Sequence, residues 1–214
     1  MTLKIAIVPV TPFEQNCSIL VCQETQLAAI TDPGGDLPKI LDAIEKIGAT
    51  PEKILLTHGH VDHCAAARRL ANQLQIPVIG PQKEDSFWLE QLAVQSQRFG
   101  ISGGESFVPD RWLEDGDEVT VGNTVLKVIH CPGHTPGHVV FFSDEDRLAI
   151  VGDVLFAGSI GRTDFPRGDY DLLISSIREK LFVLGSDITF IPGHGPTSTF
   201  GQEMKTNPYV GLNA

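Results

Sequence analysis

The sequence predicts an α/β protein built from two sheets, each covered by helices. Three observations carry that prediction. Short apolar runs of strand length recur through the chain, and the order of strands followed by a helix appears in the first third and again in the second half. Leu37, Ile40, Leu41, Ile44 and Ile47 share one helical face, the spacing of a helix that lies on a sheet. With 214 residues and 42% hydrophobic content, the chain has a substantial core to bury and fits one domain rather than two.

In chain order, strands are expected over 3–10, 18–22 and 27–31, then a helix over 37–47 and a strand over 53–57. Residues 62–71 are alanine-rich and helical in propensity. An amphipathic helix is expected around 83–99, where Phe87, Trp88, Leu92 and Phe99 pack against the body; a pocket wall is the second reading of the same residues. Strands over 120–121, 125–130, 139–142 and 148–151, a helix over 172–181 and a strand over 188–191 complete the pattern. The domain is expected to span 1–206, with an irregular tail over 207–214.

The chemistry concentrates after the apolar run Ile54-Leu55-Leu56, where His58, His60, Asp62 and His63 offer four potential metal ligands within six positions. Burying such a cluster unpaired costs several kcal/mol per charged group, whereas neutral imidazoles and carboxylates recruited by a metal stand together without penalty. A helix would turn His58 and His60 about 200° apart; an extended segment points them the same way. The pair therefore belongs at a strand end, and Asp62 and His63 open the helix that follows. One strand-to-helix turn thus feeds two adjacent metals.

Three further candidates, His134, Asp153 and His194, each follow an apolar strand-like run. Loops gathered at the same ends of successive strands make one site on a rigid scaffold. Glycines and prolines flank them, in Pro132-Gly133-His134-Thr135-Pro136-Gly137-His138 and Pro192-Gly193-His194-Gly195-Pro196, and permit tight turns. His138 reads as a donor behind the ligands or as a structural group. Asp32 either orients a ligand imidazole from behind or forms an ordinary Asp-Pro turn. His130 reads as a satisfied core histidine.

The net charge of −11 repels polyanions and disfavours nucleic-acid partners. No basic leader with a long apolar run and no stretch of about 20 apolar residues is present, so a cytoplasmic protein without a membrane partner is expected. Four cysteines without a C-x-x-C pair read as reduced, buried thiols.

These motifs resemble the metallo-β-lactamase superfamily, and within it the short, single-domain bacterial members of the glyoxalase II (hydroxyacylglutathione hydrolase) group. The likeness runs from Asp32-Pro33-Gly34-Gly35 through His-x-His-x-Asp-His, Pro-Gly-His-Thr-Pro-Gly-His, Gly152-Asp153 and Gly161-Arg162-Thr163-Asp164-Phe165 to Pro-Gly-His-Gly. It implies a four-layer αββα sandwich of two mixed sheets flanked by helices. It implies two divalent metal ions per chain, Zn²⁺ first with iron or manganese as alternatives: His58, His60 and His134 on one, Asp62, His63 and His194 on the other, Asp153 bridging. It further implies that Arg162 receives the anionic part of a small, glutathione-linked thioester.

The implied chemistry is thioester hydrolysis by a hydroxide held between the metals, with Asp62 orienting it and Asp153 setting the metal separation. Two departures bear on the substrate. Only about twenty residues follow His194, too few for the helical C-terminal domain of long glyoxalase II enzymes, and Gly195-Pro196 stands where those enzymes commonly carry an aromatic residue. An Fe(II) persulfide dioxygenase on the same fold and a catalytically idle metal-stabilised binding protein are the alternatives. A monomer or small homo-oligomer is expected.

Overall fold

The computed structural model describes residues 2–212. The first sheet is formed by β1 (Leu3–Val10), β2 (Gln15–Cys22), β3 (Leu27–Thr31), β4 (Thr50–Leu55) and β5 (Val78–Ile79), in that spatial order. The β1–β2 and β2–β3 pairs are antiparallel, whereas β3–β4 and β4–β5 are parallel. The second sheet contains β6 (Glu118–Val121), β7 (Thr124–His130), β8 (Val139–Ser143) and β9 (Leu148–Gly152). A short hairpin of β10 (Leu155–Phe156) and β11 (Ser159–Ile160) precedes its last members, β12 (Thr189–Pro192) and β13 (Ser198–Thr199). Its order is β13-β12-β9-β8-β7-β6, with β12–β9 the parallel pair.

Strand alternation divides the core into three layers. Along β2, Cys17, Ile19 and Val21 meet the helices α1 (Leu37–Ile47), α2 (Val61–Cys64) and α3 (Ala67–Leu74) through Ile40, Val61 and Leu70. Leu20 and Cys22 face the other way, toward Val128, Val139, Phe141 and Ile150 of the second sheet. Val140, Phe142 and Phe190 then cover the far side, against Leu173, Ile177 and Phe200. The result is the expected four-layer αββα sandwich of two mixed sheets.

Helix α1 has the expected bounds, closed by Gly48 at φ 73°. The alanine-rich stretch expected as one helix is two, because Ala66 N–H donates to the carbonyl of Pro33 (3.1 Å) instead of continuing the helical ladder. The 83–99 helix also divides, into a 3₁₀ turn at Lys83–Asp85, α4 (Ser86–Glu90) and α5 (Leu92–Phe99), with Gln91 off helical geometry at the break. The helix expected over 172–181 is α6 (Tyr170–Ser175) continued by a π-helical turn at Ser176–Leu181. Helix α7 (Phe200–Thr206), β5, the β10–β11 hairpin and β13 have no counterpart among the expected elements.

Residues 207–212 carry neither helix nor strand, yet Asn207 and Val210 are buried, and the Asn207 amide donates to Glu203 and to the Ser159 carbonyl. Asn213 and Ala214, like Met1, lie outside the described residues. His130 is half-buried at the end of β7 rather than in the core; its ring is satisfied by the Pro136 carbonyl at 2.7 Å. All four cysteines are free and buried. Among the described residues no helix is long and apolar enough to cross a membrane.

Candidate metal centre

Parallel pairing brings the site together. Because β3 and β4 run side by side, Asp32 emerges next to Thr57, and its N–H still bonds the Leu55 carbonyl (3.0 Å). Because β9 and β12 run side by side, Asp153 emerges next to the His194 loop, where Gly193 N–H bonds the Gly152 carbonyl (2.7 Å). The two sheets are tied at this edge by Asn16 N–H to the Gly193 carbonyl and Val139 N–H to the Thr57 carbonyl.

His60 has extended backbone and caps α2, so the strand-to-helix turn presents His58 and His60 together and then Asp62 and His63. His60 Nδ1 lies 3.1 Å from His58 Nε2 and 3.0 Å from His134 Nε2. Beside this trio, Asp62, His63 and His194 form a second group whose donor atoms all lie within 4.8 Å of one another. Asp153 spans the two: Oδ2 is 3.6 Å from His134 Nε2 and 3.7 Å from His194 Nε2, and Oδ1 is 3.3 Å from His63 Nε2.

Outer hydrogen bonds decide which ring nitrogen faces inward. Thr57 Oγ1 donates to Asp32 Oδ2 (2.6 Å), so its oxygen is left to accept from His58 Nδ1 (3.0 Å). His63 Nδ1 donates to Asp32 (3.0 Å), His134 Nδ1 to the Arg162 carbonyl (2.7 Å) and His194 Nδ1 to the Phe13 carbonyl (3.1 Å). Each of these four rings therefore turns its Nε2 toward the cluster, the nitrogen left without a proton whenever the ring is neutral. His60 instead offers Nδ1, with the edges of Trp88 and Phe165 against its ring.

Burial and the neighbouring rings drive His58 far below the usual histidine range, burial and His134 bring His60 down to about 3, and burial lowers His134. These three are neutral. Burial opposes protonation of His63 and His194 as well, but for His63 the Asp153 and Asp62 carboxylates outweigh it, and for His194 the bond to Asp62 and the charge of Asp153 do. Asp153 is itself held far below the carboxylate range, since His63 and His134 overcome its burial.

The donors fit a divalent cation. His63 Nε2 and Asp153 Oδ1 are buried and face only each other, at 3.3 Å, with no other partner among the described residues, a costly arrangement for polar atoms that a cation between them would relieve. Imidazole nitrogens and carboxylate oxygens suit zinc, iron and manganese alike. The pocket leaves no room at Gly193, where a Cβ would run into Asp153 Oδ1 and His63 Cε1.

Around this cluster, Asp32 both turns the chain, at φ 48°, and orients His63. His138 stacks on His58 (4.6 Å between ring centroids) and accepts, rather than donates, a bond: Asp153 N–H reaches its Nε2 at 3.0 Å. Arg162 places its guanidinium in a two-pronged pair with Asp164 (2.9 and 2.7 Å) above the Phe165 ring, and both charged side chains are 67% exposed. Trp88 and Leu92 are buried as the packing reading expects, whereas Phe99 is exposed, its ring against Phe13. Sequence reasoning passed over Asp85, which no motif flags. Burial pushes its carboxyl up to about 6 despite hydrogen bonds from Thr135, Gly137 and Gly59. Spacing along the chain carries no signal for a partner brought in from another sheet.

Residues 10–194 match the sequence family described as the metallo-beta-lactamase superfamily. Over 209 residues the chain is 46% identical to hydroxyacylglutathione hydrolase GloC of Haemophilus influenzae, covering 97% of this chain and 98% of that protein. Among solved structures it is similar to the BLEG-1 B3 metallo-beta-lactamase (TM-score 0.89, 35% identity, 97% and 99% of the two chains). It is also similar to TTHA1623 in a di-iron-bound form (TM-score 0.86, 34% identity, 95% and 99%).

Proposed function

Because the chain belongs to the metallo-β-lactamase superfamily, we propose that it is a metal-dependent hydrolase of thioesters, with S-D-lactoylglutathione and related hydroxyacylglutathiones as its substrates. The observation that carries this reading is the pair of three-residue donor groups joined by one carboxylate, Asp153. His58, His60 and His134 would hold one divalent ion and Asp62, His63 and His194 the other, with Asp153 serving both groups. Zn²⁺ is the first choice, and iron or manganese would be held by the same atoms. The name of the Haemophilus influenzae relative supports the glutathione thioester.

Bound ions supply Lewis acidity for the carbonyl and lower the pKa of water from 15.7 to about 7. The residues of the chain do the rest. Asp62, on the open side of the cluster, accepts a hydrogen bond from the attacking water and aligns it with the carbonyl carbon. Asp153 keeps the two donor groups in register, and His138 holds Asp153 by its backbone N–H. Trp88 and Phe165 shield the His60 side from bulk water. A thiolate departs without a general acid, so none is assigned. Arg162 exchanges its Asp164 partner for the anionic tail of the substrate. The reading carries with it a cytoplasmic protein without nucleic-acid or membrane partners.

The intact Asp62–His63–His194 group supports hydrolysis over persulfide oxidation, for which His58, His60, His134 and Asp153 suffice. The test pairs elemental analysis of natively purified protein with three assays: thiol release from S-D-lactoylglutathione, oxygen uptake with glutathione persulfide, and opening of a chromogenic β-lactam. Two ions per chain with thiol release as the fastest reaction is the expected result. One ion per chain at saturating activity, or oxygen uptake as the dominant turnover, removes the proposal.

A further inference from the structure

Asp85 sits at the end of the 3₁₀ turn Lys83–Asp85, fully buried, and accepts from two loops that leave different sheets. Its Oδ2 takes the Gly59 N–H and the Thr135 hydroxyl, each at 2.8 Å, and its Oδ1 takes the Gly137 N–H at 2.6 Å. Gly59 lies between His58 and His60, Thr135 follows His134, and Gly137 precedes His138. The loop of His58 and His60 follows β4 of the first sheet, and the loop of His134 follows β7 of the second. The three-histidine group is therefore assembled across the sandwich, and one carboxylate is bonded to both of its halves.

The fit is close. A Cβ at Gly137 would stand 2.8 Å from Asp85 Oδ1 and 2.6 Å from its backbone nitrogen, and one at Gly59 would stand 2.7 Å from Trp88 Cβ. Gln82 N–H bonds the Gly137 carbonyl at 3.0 Å, so the same short segment grips the His134 loop twice. A charged acceptor shared by three donors makes stronger and more directional bonds than a neutral one. None of the hydrogen bonds accepted by the Asp85 carboxylate comes from Asp62, His63 or His194.

Resting on the metal-centre reading above, we infer that Asp85 is a positioning residue that sets the separation of His134 from His58 and His60, and so governs ion affinity at that group alone. Glu203 provides a matched comparison. It is equally buried and accepts from Gly158 N–H, the Ser198 hydroxyl and the Asn207 amide, contacting none of the histidines.

The experiment measures Zn²⁺ affinity by chelator competition and urea stability of the metal-free chain for the parent, Asp85→Asn, Thr135→Val and Glu203→Gln. Asp85→Asn is expected to weaken one of two bound ions by about ten- to a hundredfold, the usual range for a partner behind the ligands, and to leave the other at parent affinity. Imidazole nitrogen resonances of His58, His60 and His134 in the loaded protein should shift while those of His63 and His194 stay. Thr135→Val, which removes one donor and keeps the charge, should weaken the same ion less, and it decides the question if Asp85→Asn does not fold. Glu203→Gln should lower metal-free stability and leave both affinities alone. Two ions bound at parent affinity by Asp85→Asn, or by Thr135→Val in its place, overturns the positioning role. A parent chain that takes up no divalent ion overturns the metal-centre reading and this inference together.

Discussion

The two donor groups of the centre differ in how they meet solvent. His58, His60 and His134 are buried and neutral, and His58 and His134 are fixed from behind by Thr57 and by the Arg162 carbonyl. In the other group only His63 is sealed in; the Asp62 side chain is 18% exposed and that of His194 28%. The first group is shaped by the protein, in a dry environment that strengthens every charge interaction. The second is the more exposed of the two. On the proposed two-ion reading, labour would divide by exposure: a closed half that would hold geometry and an open half that would meet the reactants.

Removing the ions is the broadest challenge to that comparison, because both groups converge ring nitrogens on one volume. An ion at a thousandfold excess over its Kd stabilises a fold by about 4 kcal/mol, and each kcal/mol moves Tm by roughly 2–4 °C at this chain length. Exhaustive chelation should therefore lower Tm by about 10 °C or more, read by scanning calorimetry, and an unchanged Tm would mean that neither group binds.

Asp153→Ala removes the carboxylate that lies against ring nitrogens of both halves. Thiol release should fall by at least about a hundredfold, beyond what partners behind the ligands usually cost, while the metal-free protein keeps its fold. Parent-like turnover in a folded, metal-replete variant would show that the halves do not depend on a shared carboxylate.

Asp32→Ala and Thr57→Val sharpen the division. Asp32 supports His63 directly and His58 through Thr57, whereas Thr57 Oγ1 serves His58 alone. The Asp32 variant should weaken both ions by about tenfold or more, and the Thr57 variant only the closed-half ion, by several-fold. Chelator competition on the two variants reads the difference, and equal effects on both ions in Thr57→Val would remove the separate relay.

Proton competition distinguishes the halves without mutation. In the metal-free chain His63 and His194 titrate above the ordinary histidine value and His58, His60 and His134 below it. Raised values mean that protons are held at higher pH and must be displaced for an ion to bind. As pH falls through the raised values of His63 and His194, above the ordinary ~6.5 of histidine, the open-half ion should leave first and the closed-half ion should stay. Stoichiometry by equilibrium dialysis across this range should pass through one ion per chain; simultaneous loss of both ions would remove the electrostatic distinction.

Arg162→Ala should have the smallest effect. The substitution keeps the backbone carbonyl that orients His134, so only the guanidinium is tested. The contact is exposed and screened by solvent, and Asp164 competes with the substrate for the guanidinium. KM for a glutathione thioester should rise about three- to tenfold with kcat nearly unchanged, and a small neutral thioester should show no change. Equal losses on both substrates would assign Arg162 to support of the loop.

The chain reveals most where interactions are local. Helix α1 and strands β1 and β3 have the bounds expected from their patterns, because burial of alternate or every third and fourth side chain is written in nearest neighbours. The crowding of His58, His60, Asp62 and His63 is likewise visible without a fold, since no other role accommodates so many such groups in one turn. Tertiary structure decided the rest. The break at Ala66 depends on the Pro33 carbonyl, the inward nitrogen of His194 on the Phe13 carbonyl, and the grip of Asp85 on two loops it meets only in space. Asp164 takes the Arg162 guanidinium from two residues away, yet the pattern does not disclose it, because only the backbone of that loop sets the direction of the side chain. Identity of a donor is carried by its residue, whereas its direction, its tautomer and its partner come from hydrogen bonds closed over tens of residues, which exist only once the two sheets have packed.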